Sequence, residues 1–407
     1  MNFLNQYADV LKLVGVFIAI IIALKFKLSL PLAIGCGAVL TVLLYGLGWV
    51  ESLKIALRST IGEATLMVLV NCYLVTFLQR MMEARGDLLN AQQALDKIFN
   101  NRRINASLAS AFIGVLPSPG AIFIAGEMVD DACESYVSEE DKTFIATYFR
   151  HIPESFMPTY STVILAAQLS GVAVGSFILG MLPAVLVLVL LGYFFYLRKI
   201  PKDTGVAPTR QKWPEVKMLF KSFWSILAII LLIVVLKVPV YIATVAVIVL
   251  NFFIKKFTIK EILPFFISAF EKRLVISTLV VMAFKDLLIA TNIITELPEI
   301  FAALPVPTYL IFTLIFFVGS IIAGATAIVS LGIPMAFAAI PGSGMPLMVL
   351  AMSCAYAGMQ VSPTHICLSL ACEHFKTDFG ALIKRTLPII LLFLVVLVFY
   401  YRLLVLF

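Results

Sequence analysis

Three ionisable side chains, Arg150, His151 and Glu154, lie together in an otherwise apolar stretch of the chain. Ionisable groups are costly inside a membrane, and those found there mark substrate, ion or proton pathways. Because histidine titrates near neutral pH, one interpretation is a proton relay through His151 and Glu154. The other is an inert ion pair between Arg150 and Glu154, which are neighbours if the helix continues between them. Both interpretations stand at this point.

Prolines interrupt two apolar stretches that are otherwise long enough to form membrane helices. Proline removes a helix hydrogen bond and clashes with the preceding turn. Pro153 and Pro158 therefore predict a broken helix over 142–170, and Pro363 predicts a second over 344–372. Irregular backbone at membrane depth is tolerated only where it lines a cavity or is buried in protein. Paired broken helices of this kind indicate the binding site of a transporter.

The two breaks are related by a constant spacing. Pro158-Thr159 and Pro363-Thr364 lie 205 residues apart, and the same spacing separates Gly175 from Gly380 without a gap. An offset of about half the chain indicates an internal duplication.

The composition indicates a polytopic integral membrane protein. The 407 residues are 62% hydrophobic and 13% charged, with a mean hydropathy of +1.06, whereas soluble domains carry about 25% charged residues. The net charge is +7, and the basic residues lie in short loops between apolar runs. Their positions therefore indicate membrane topology, and no nucleic-acid partner is expected. The six cysteines form no CxxC motif and are expected to be free thiols.

Apolar runs near the length that a bilayer requires predict ten spans, at 10–24, 28–48, 62–82, 142–170, 172–197, 219–236, 238–255, 273–292, 344–372 and 381–405. Two further apolar segments, 105–128 and 307–340, have small or helix-breaking residues at their centres. Each is interpreted as a re-entrant helical hairpin. The alternative for 307–340, an ordinary span, would place the basic loop 372–385 outside the cell and is therefore disfavoured.

The predicted fold is an all-α polytopic membrane protein with two inverted repeats, each of five spans and one hairpin. The repeats cover 1–197 and 219–407, and the polar linker 198–218 joins them. Five spans are an odd number, so the repeats insert in opposite orientations. Lys and Arg collect on the side of the linker, which places the linker in the cytoplasm and both termini outside the cell membrane.

Three stretches, LPSPGAIFIAGEMVDDA, RHIPESFMPTY and VSPTHICLSLACEHF, resemble the DUF401 integral membrane family. The order of elements resembles the wider ion transporter superfamily, with its gluconate permeases, citrate transporters, divalent-anion/sodium symporters and TRAP large membrane subunits. The resemblance implies a dimeric carrier with a scaffold and a moving transport domain, often coupled to sodium. The Ser-Asn-Thr triplet of the divalent-anion symporters is absent, and Ser118 and Thr326 stand at the hairpin tips instead.

Hairpin tips that face helix breaks bring several helix N-termini together. Their free N–H groups favour an anion such as a carboxylate, and unwound carbonyl groups hold a small cation. The substrate-binding candidates are Ser118, Pro119, Gly120, Thr159, Tyr160, Thr326, Thr364 and His365. The ion-coupling candidates are Ser118, Gly120, Pro158, Thr159, Ala325, Thr326, Pro363 and Thr364. The alternative is that these hydroxyls only cap the breaks or bond back to helix carbonyls.

The leading hypothesis is a secondary active transporter of a small organic anion, elevator-type, driven by Na⁺ or H⁺ and without a cofactor. The alternatives are a proton-coupled carrier that uses His151 and Glu154, and an intramembrane enzyme. The enzyme would need a catalytic pair or an HExxH motif, and the sequence has none. The spacing of His365, Glu373 and His374 matches no ligand motif, so no metal site beyond one for Na⁺ is predicted.

Overall fold

The computed structural model describes residues 2–26, 28–115, 121–204 and 212–406, and within these ranges the chain forms helices and no β-strand. The first half contains α1 (Asn2–Lys25), α2 (Leu30–Leu44), α3 (Trp49–Ile61), α4 (Glu63–Ala84), α5 (Asp87–Phe99), α6 (Arg102–Ile104), a π-helical turn (Asn105–Ala109), α7 (Ser110–Ile113), α8 (Ala121–Cys133), α9 (Glu139–His151), a 3-10 turn (Ile152–Ser155), α10 (Ser161–Ser170), α11 (Val174–Phe195) and a 3-10 turn (Leu197–Lys199). The second half contains α12 (Trp213–Val234), α13 (Val240–Ile254), α14 (Ile259–Ser268), α15 (Lys272–Ala290), α16 (Ile293–Ala302), α17 (Thr308–Ala323), α18 (Ala325–Ala339), α19 (Gly344–Met359), α20 (Ile366–His374) and α21 (Phe379–Leu406).

The two halves have the same order of helices. Helices α1–α5 correspond to α12–α16, the segment from α6 to α7 corresponds to α17, and α8–α11 correspond to α18–α21. Their contacts are also reciprocal. Helix α2 packs on α15 and α13 on α4, α9 packs on α21 and α19 on α11, and α10 packs on α18 and α20 on α8. Each of these contacts between the halves thus has a counterpart between the two corresponding helices.

Several helices have the length and composition of membrane spans. In the described residues, four are long and apolar enough to cross a bilayer, at Glu63–Ala84, Val174–Lys199, Trp213–Val234 and Phe379–Leu406. Six shorter apolar helices accompany them. Large apolar side chains also point outward, including Phe399 at 71% and Ile267 at 80% exposure. Such an exposed apolar surface is compatible with a polytopic membrane protein.

Two helices, α3 and α14, lie in segments that separate the predicted spans. With 13 and 10 residues, both are shorter than a membrane span requires, so a search for spans does not detect them. Helix α14 has a local start signal, because the Thr258 side chain and Glu261 form a reciprocal capping box. The predicted span 28–48 is shorter in the structure, where the helix covers Leu30–Leu44.

The broken helices α9 and α19 form the centre of the core. Every residue of 142–151 is buried, as is every residue of 347–359. In each half, glycine lets the broken helix approach the backbone of a neighbouring segment, which is the end of α7 in the first half and α17 in the second. A Cβ at Gly114 would overlap the carbonyl oxygen of Arg150, and one at Gly358 would overlap that of Phe317. Backbone therefore packs directly on backbone at both places.

Ion pairs fix the polar end of α9 against the second half. Arg385 of α21 contacts Asp141 at 2.6 Å and Glu140 at 3.4 Å, and Lys199 contacts Asp141 at 3.1 Å. This cluster joins α9, α21 and the residues that lead into the linker.

Candidate substrate site at the two helix breaks

The first break lies between α9 and α10. Helix α9 ends at His151, a 3-10 turn follows, and α10 begins at Ser161. The Thr159 hydroxyl donates to the Val115 carbonyl at 2.6 Å, and the Tyr160 hydroxyl donates to the Gly114 carbonyl at 2.5 Å. Both side chains are buried. Their hydroxyls thus hold the first break against the arm that ends in α7.

The second break lies between α19 and α20. The Ser362 hydroxyl donates to the Ile321 carbonyl on α17 at 2.7 Å, which repeats the contact that Thr159 makes in the first half. The Thr364 hydroxyl lies 2.8 Å from the Ser362 hydroxyl. In contrast to the first break, Pro363 and Thr364 are exposed. The second break is therefore open where the first is closed.

Gly324 forms the turn between α17 and α18. Its φ of 85° and ψ of 153° are conformations that essentially only glycine adopts. No side chain caps the start of α18, so its first N–H groups lack an intrahelical partner. The Thr326 hydroxyl lies 3.1 Å from the Thr162 hydroxyl at the start of α10. The turn thus faces the first break across the boundary between the halves.

A cavity of about 300 Å³ lies where the Gly324 turn and the second break meet. Its polar wall includes Glu154 from the first break and Arg273 from α15. The remainder comes from the Gly324 turn, the second break and the connection from α1 to α2. These residues are Leu24, Leu28, Leu30, Ala323, Gly324, Ala325, Thr326, Ala327, Met359, Ser362, Thr364 and His365. One cavity thus presents a carboxylate, a guanidinium group, hydroxyls and a helix N-terminus. This combination suits a small anion and a small cation bound side by side.

His151 and His365 join the two breaks behind the cavity wall. Their Nε2 atoms lie 2.9 Å apart. The Nδ1 of His151 is 2.6 Å from the Thr147 carbonyl oxygen. His151 is fully buried, whereas His365 also reaches the cavity. The histidine pair therefore connects the interior of the first half to the cavity.

Residues 8–405 match the family described as protein of unknown function, DUF401. The chain belongs to the DUF401 family. Its fold is similar to that in the crystal structure of the Alcanivorax borkumensis YdaH transporter, which is described as having an unusual topology. The TM-score is 0.56 with 12% sequence identity, and the match covers 86% of each chain. At this identity the likeness concerns the fold alone. No curated protein sequence matches the chain.

In this DUF401 protein the predicted site residues fall into three groups. Ala325, Thr326, Thr364 and His365 line the cavity, and Pro363 is exposed beside them. Pro158, Thr159 and Tyr160 are buried at the first break, where the two hydroxyls bind backbone carbonyls. Ser118, Pro119 and Gly120 lie outside the described residues. Of the proton-relay candidates, Glu154 lines the cavity, while Arg150 and His151 are buried behind it.

Sequence reasoning missed two polar side chains of the cavity wall, Arg273 and Ser362. Arg273 follows Glu271 and Lys272, and a run of three charges at the start of a span has the pattern of a solvated loop. Ser362 directly precedes the Pro-Thr pair, and its position beside a helix-breaking proline is the signal that was available.

A larger cavity, of about 540 Å³, lies around the connections from α10 to α11 and from α12 to α13. Its polar lining includes Asn71, Gln168 and Lys237. It contains neither the Gly324 turn nor a Pro-Thr pair. The smaller cavity brings together helix N-terminus, opposite charges and unwound backbone, and we therefore favour it as the functional site.

Proposed function

We propose that this DUF401 protein is a secondary active transporter that carries a small organic anion, most simply a carboxylate, together with a coupling cation. The observation that carries the proposal is the cavity in which the Gly324 turn, the second break, Glu154 and Arg273 meet. The similarity of the fold to that of the YdaH transporter supports it.

The anion is proposed to bind at the start of α18. The free N–H groups there, in the first turn at Ala325–Ala327, carry the positive end of the helix dipole. Arg273 adds a full positive charge to the same wall, and the hydroxyls of Thr326 and Thr364 can donate to carboxylate oxygens. A volume of about 300 Å³ is at the lower end of the range for small-molecule sites, as a compact carboxylate requires.

The cation is proposed to bind at Glu154 and the unwound backbone beside it. Carboxylate and carbonyl oxygens are suitable ligands for Na⁺ at a helix break. A cation at Glu154 offsets the charge of an anion at Arg273, so each ligand strengthens the binding of the other. This mutual dependence is what symport requires.

A second candidate uses a proton in place of Na⁺. The hydrogen-bonded pair of His151 and His365 leads from the buried interior to the cavity, beside Glu154. Such a chain of titratable groups is typical of proton relays in transporters. In this version Glu154 takes up the coupling proton and His151 passes it on.

We further propose that the two halves are inverted repeats that work by an elevator-type movement. The reciprocal helix contacts support a two-fold relation between the halves. The first three spans of each half, the helices α1, α2 and α4 and α12, α13 and α15, would form the scaffold of a homodimer. The hairpins, the broken helices, α11 and α21 would form the moving part in the cell membrane, and both termini would lie outside the cell. Because α15 belongs to the scaffold, Arg273 would contact the anion only in the present arrangement, and the start of α18 and Thr364 would carry the anion during the movement.

The test is uptake by purified protein in proteoliposomes with an imposed Na⁺ or H⁺ gradient and a panel of small carboxylates. Arg273→Gln should raise the KM for the anion at least tenfold, because a charged partner is lost. Glu154→Gln should abolish gradient-driven accumulation and spare exchange of anion across the membrane. A sodium gradient that drives uptake favours the first version, and a proton gradient alone favours the second.

Thr326→Ala together with Thr364→Ala should reduce uptake more than Thr159→Ala, since the Thr159 hydroxyl is occupied by a backbone carbonyl. Lys237→Gln in the larger cavity serves as the matched control for the loss of charge. Unchanged uptake in both the Arg273 and the Glu154 variants would contradict the proposed site.

A further inference from the structure

We propose that His151, His365 and Cys367 form a binding site for a divalent cation of the zinc type. Within the described part of the chain, the potential ligand atoms of these residues all lie within 4.8 Å of one another. His151 belongs to the first half, and His365 and Cys367 belong to the second. A bound ion would therefore join the two helix breaks. The inference goes beyond the proposed function, because no step of it requires transport.

The distances are close to those that the ion needs. The two Nε2 atoms lie 2.9 Å apart. With zinc–nitrogen bonds of about 2.0–2.1 Å, two ligand nitrogens of a tetrahedral site are roughly 3.3 Å apart. The rings need to separate by only a few tenths of an ångström, and the Cys367 sulfur needs to approach by at most roughly 1.3 Å.

The hydrogen bond behind His151 prepares it as a ligand. Its Nδ1 is 2.6 Å from the Thr147 carbonyl oxygen. A carbonyl oxygen only accepts, so Nδ1 carries the hydrogen and donates it. In the neutral ring Nε2 then presents its lone pair toward His365. Metal-binding histidines almost always donate their other ring N–H to a carbonyl or carboxylate in this way.

The donor set selects the class of ion. Two imidazoles and one thiolate suit Zn²⁺, whereas Na⁺, Mg²⁺ and Ca²⁺ prefer oxygen ligands. Three protein ligands leave a fourth position open. His365 also lines the cavity that contains Glu154, so a bound ion would lie beside that cavity. The Cys367 thiolate and the Glu154 carboxylate offset the charges of the ion and of neighbouring Arg150.

The sequence does not predict this site, because its ligands come from the two halves of the chain. The spacing within VSPTHICLSLACEH favours a comparison of His365 with His374, which matches no ligand motif. Only the contact between the breaks brings His151 to His365 and Cys367.

The test is a Co²⁺ titration of the purified, chelator-treated protein in detergent. We expect one equivalent of Co²⁺ to produce a thiolate-to-cobalt charge-transfer absorption, which Zn²⁺ then displaces. Cys367→Ser should remove this absorption. His151→Gln and His365→Gln should weaken binding at least tenfold, as the loss of a ligand requires.

Matched controls lie on the same helix. Cys372→Ser and His374→Ala should keep the absorption and the affinity of the unmodified protein. Zn²⁺ should raise the Tm of the unmodified protein and of both controls, but not that of Cys367→Ser. Because Cys367→Ser is nearly isosteric, its Tm without metal shows whether it is folded.

Two results would overturn the proposal. One is the absence of a charge-transfer absorption at micromolar Co²⁺ in the unmodified protein. The other is an equal loss of affinity in the Cys372 or His374 variants. Both are binding measurements, so they are independent of whether uptake is found in proteoliposomes.

Discussion

At the scale of single residues, the geometry of the cavity depends on Gly324. Its positive φ turns the chain so that α18 starts at the cavity, directly opposite the second break. A Cβ there would meet only the Thr364 hydroxyl, at 3.9 Å. Space is therefore available, and the backbone conformation alone explains the glycine.

Gly324→Ala should lower the free energy of unfolding by about 1–3 kcal/mol, since other residues adopt this conformation only under strain. Thermal unfolding in detergent measures the loss. Gly35→Ala in α2 is the control, because no atom lies within 4 Å of its added Cβ; it should be neutral or stabilise by about 0.5–1 kcal/mol. Equal stability of both variants would show that the turn is not held in this conformation.

Residue types alone predict part of the cavity wall. Proline and threonine in an apolar stretch indicate a break, which is how Thr364 and His365 enter the prediction. Arg273 and Cys367 could not be found this way. Their roles arise from tertiary contacts between helices that are distant in sequence, and nothing in their local patterns differs from a loop arginine or a core cysteine.

At the scale of elements, each half packs a broken helix directly on a neighbouring arm, which is the segment from α7 to Val115 in the first half and α17 in the second. A hydroxyl of the break, Thr159 or Ser362, donates to a carbonyl of that arm. A glycine lets the backbones touch, but it lies on the arm in the first half and on the broken helix in the second, as Gly114 and Gly358. Both halves thus have this backbone contact, but the glycine that permits it lies at a different place in each half.

Gly358→Ala should lower the free energy of unfolding by at least about 1–3 kcal/mol, because the added Cβ overlaps the rigid Phe317 carbonyl. Uptake should fall with it, since the second break would be displaced from the cavity. Gly15→Ala is the helical control, with no atom within 4 Å of its Cβ. A Gly358 variant with unchanged Tm would mean that α17 and α19 are not in backbone contact.

The elements themselves were largely predictable. Long apolar runs give α4, α11, α12 and α21, and Pro153 and Pro363 account for the ends of α9 and α19. Helices α3 and α14 were not, because with 13 and 10 residues they are shorter than a membrane span requires. The sequence spacing of 205 residues relates the breaks, but only the packing shows that the second is open and the first closed.

At the scale of the whole molecule, we propose that the two halves enter the membrane in opposite orientations. The same order of helices and their reciprocal contacts support this relation. This arrangement predicts that the loops at Lys202 and Lys376 lie on one face of the membrane and that the loop at Lys237 lies on the other. All three lysines are exposed, so each is accessible to a reagent.

The most direct test labels single cysteines with a membrane-impermeant thiol reagent in intact cells and in inverted vesicles. Lys202→Cys, Lys376→Cys and Lys237→Cys are placed in a Cys36→Ser background, because the other five native cysteines are buried. We predict that positions 202 and 376 react only from the cytoplasmic side and position 237 only from outside. Labelling of 202 and 376 from different sides, or of 237 from the same side as 202, would contradict the inverted arrangement and with it the proposed site.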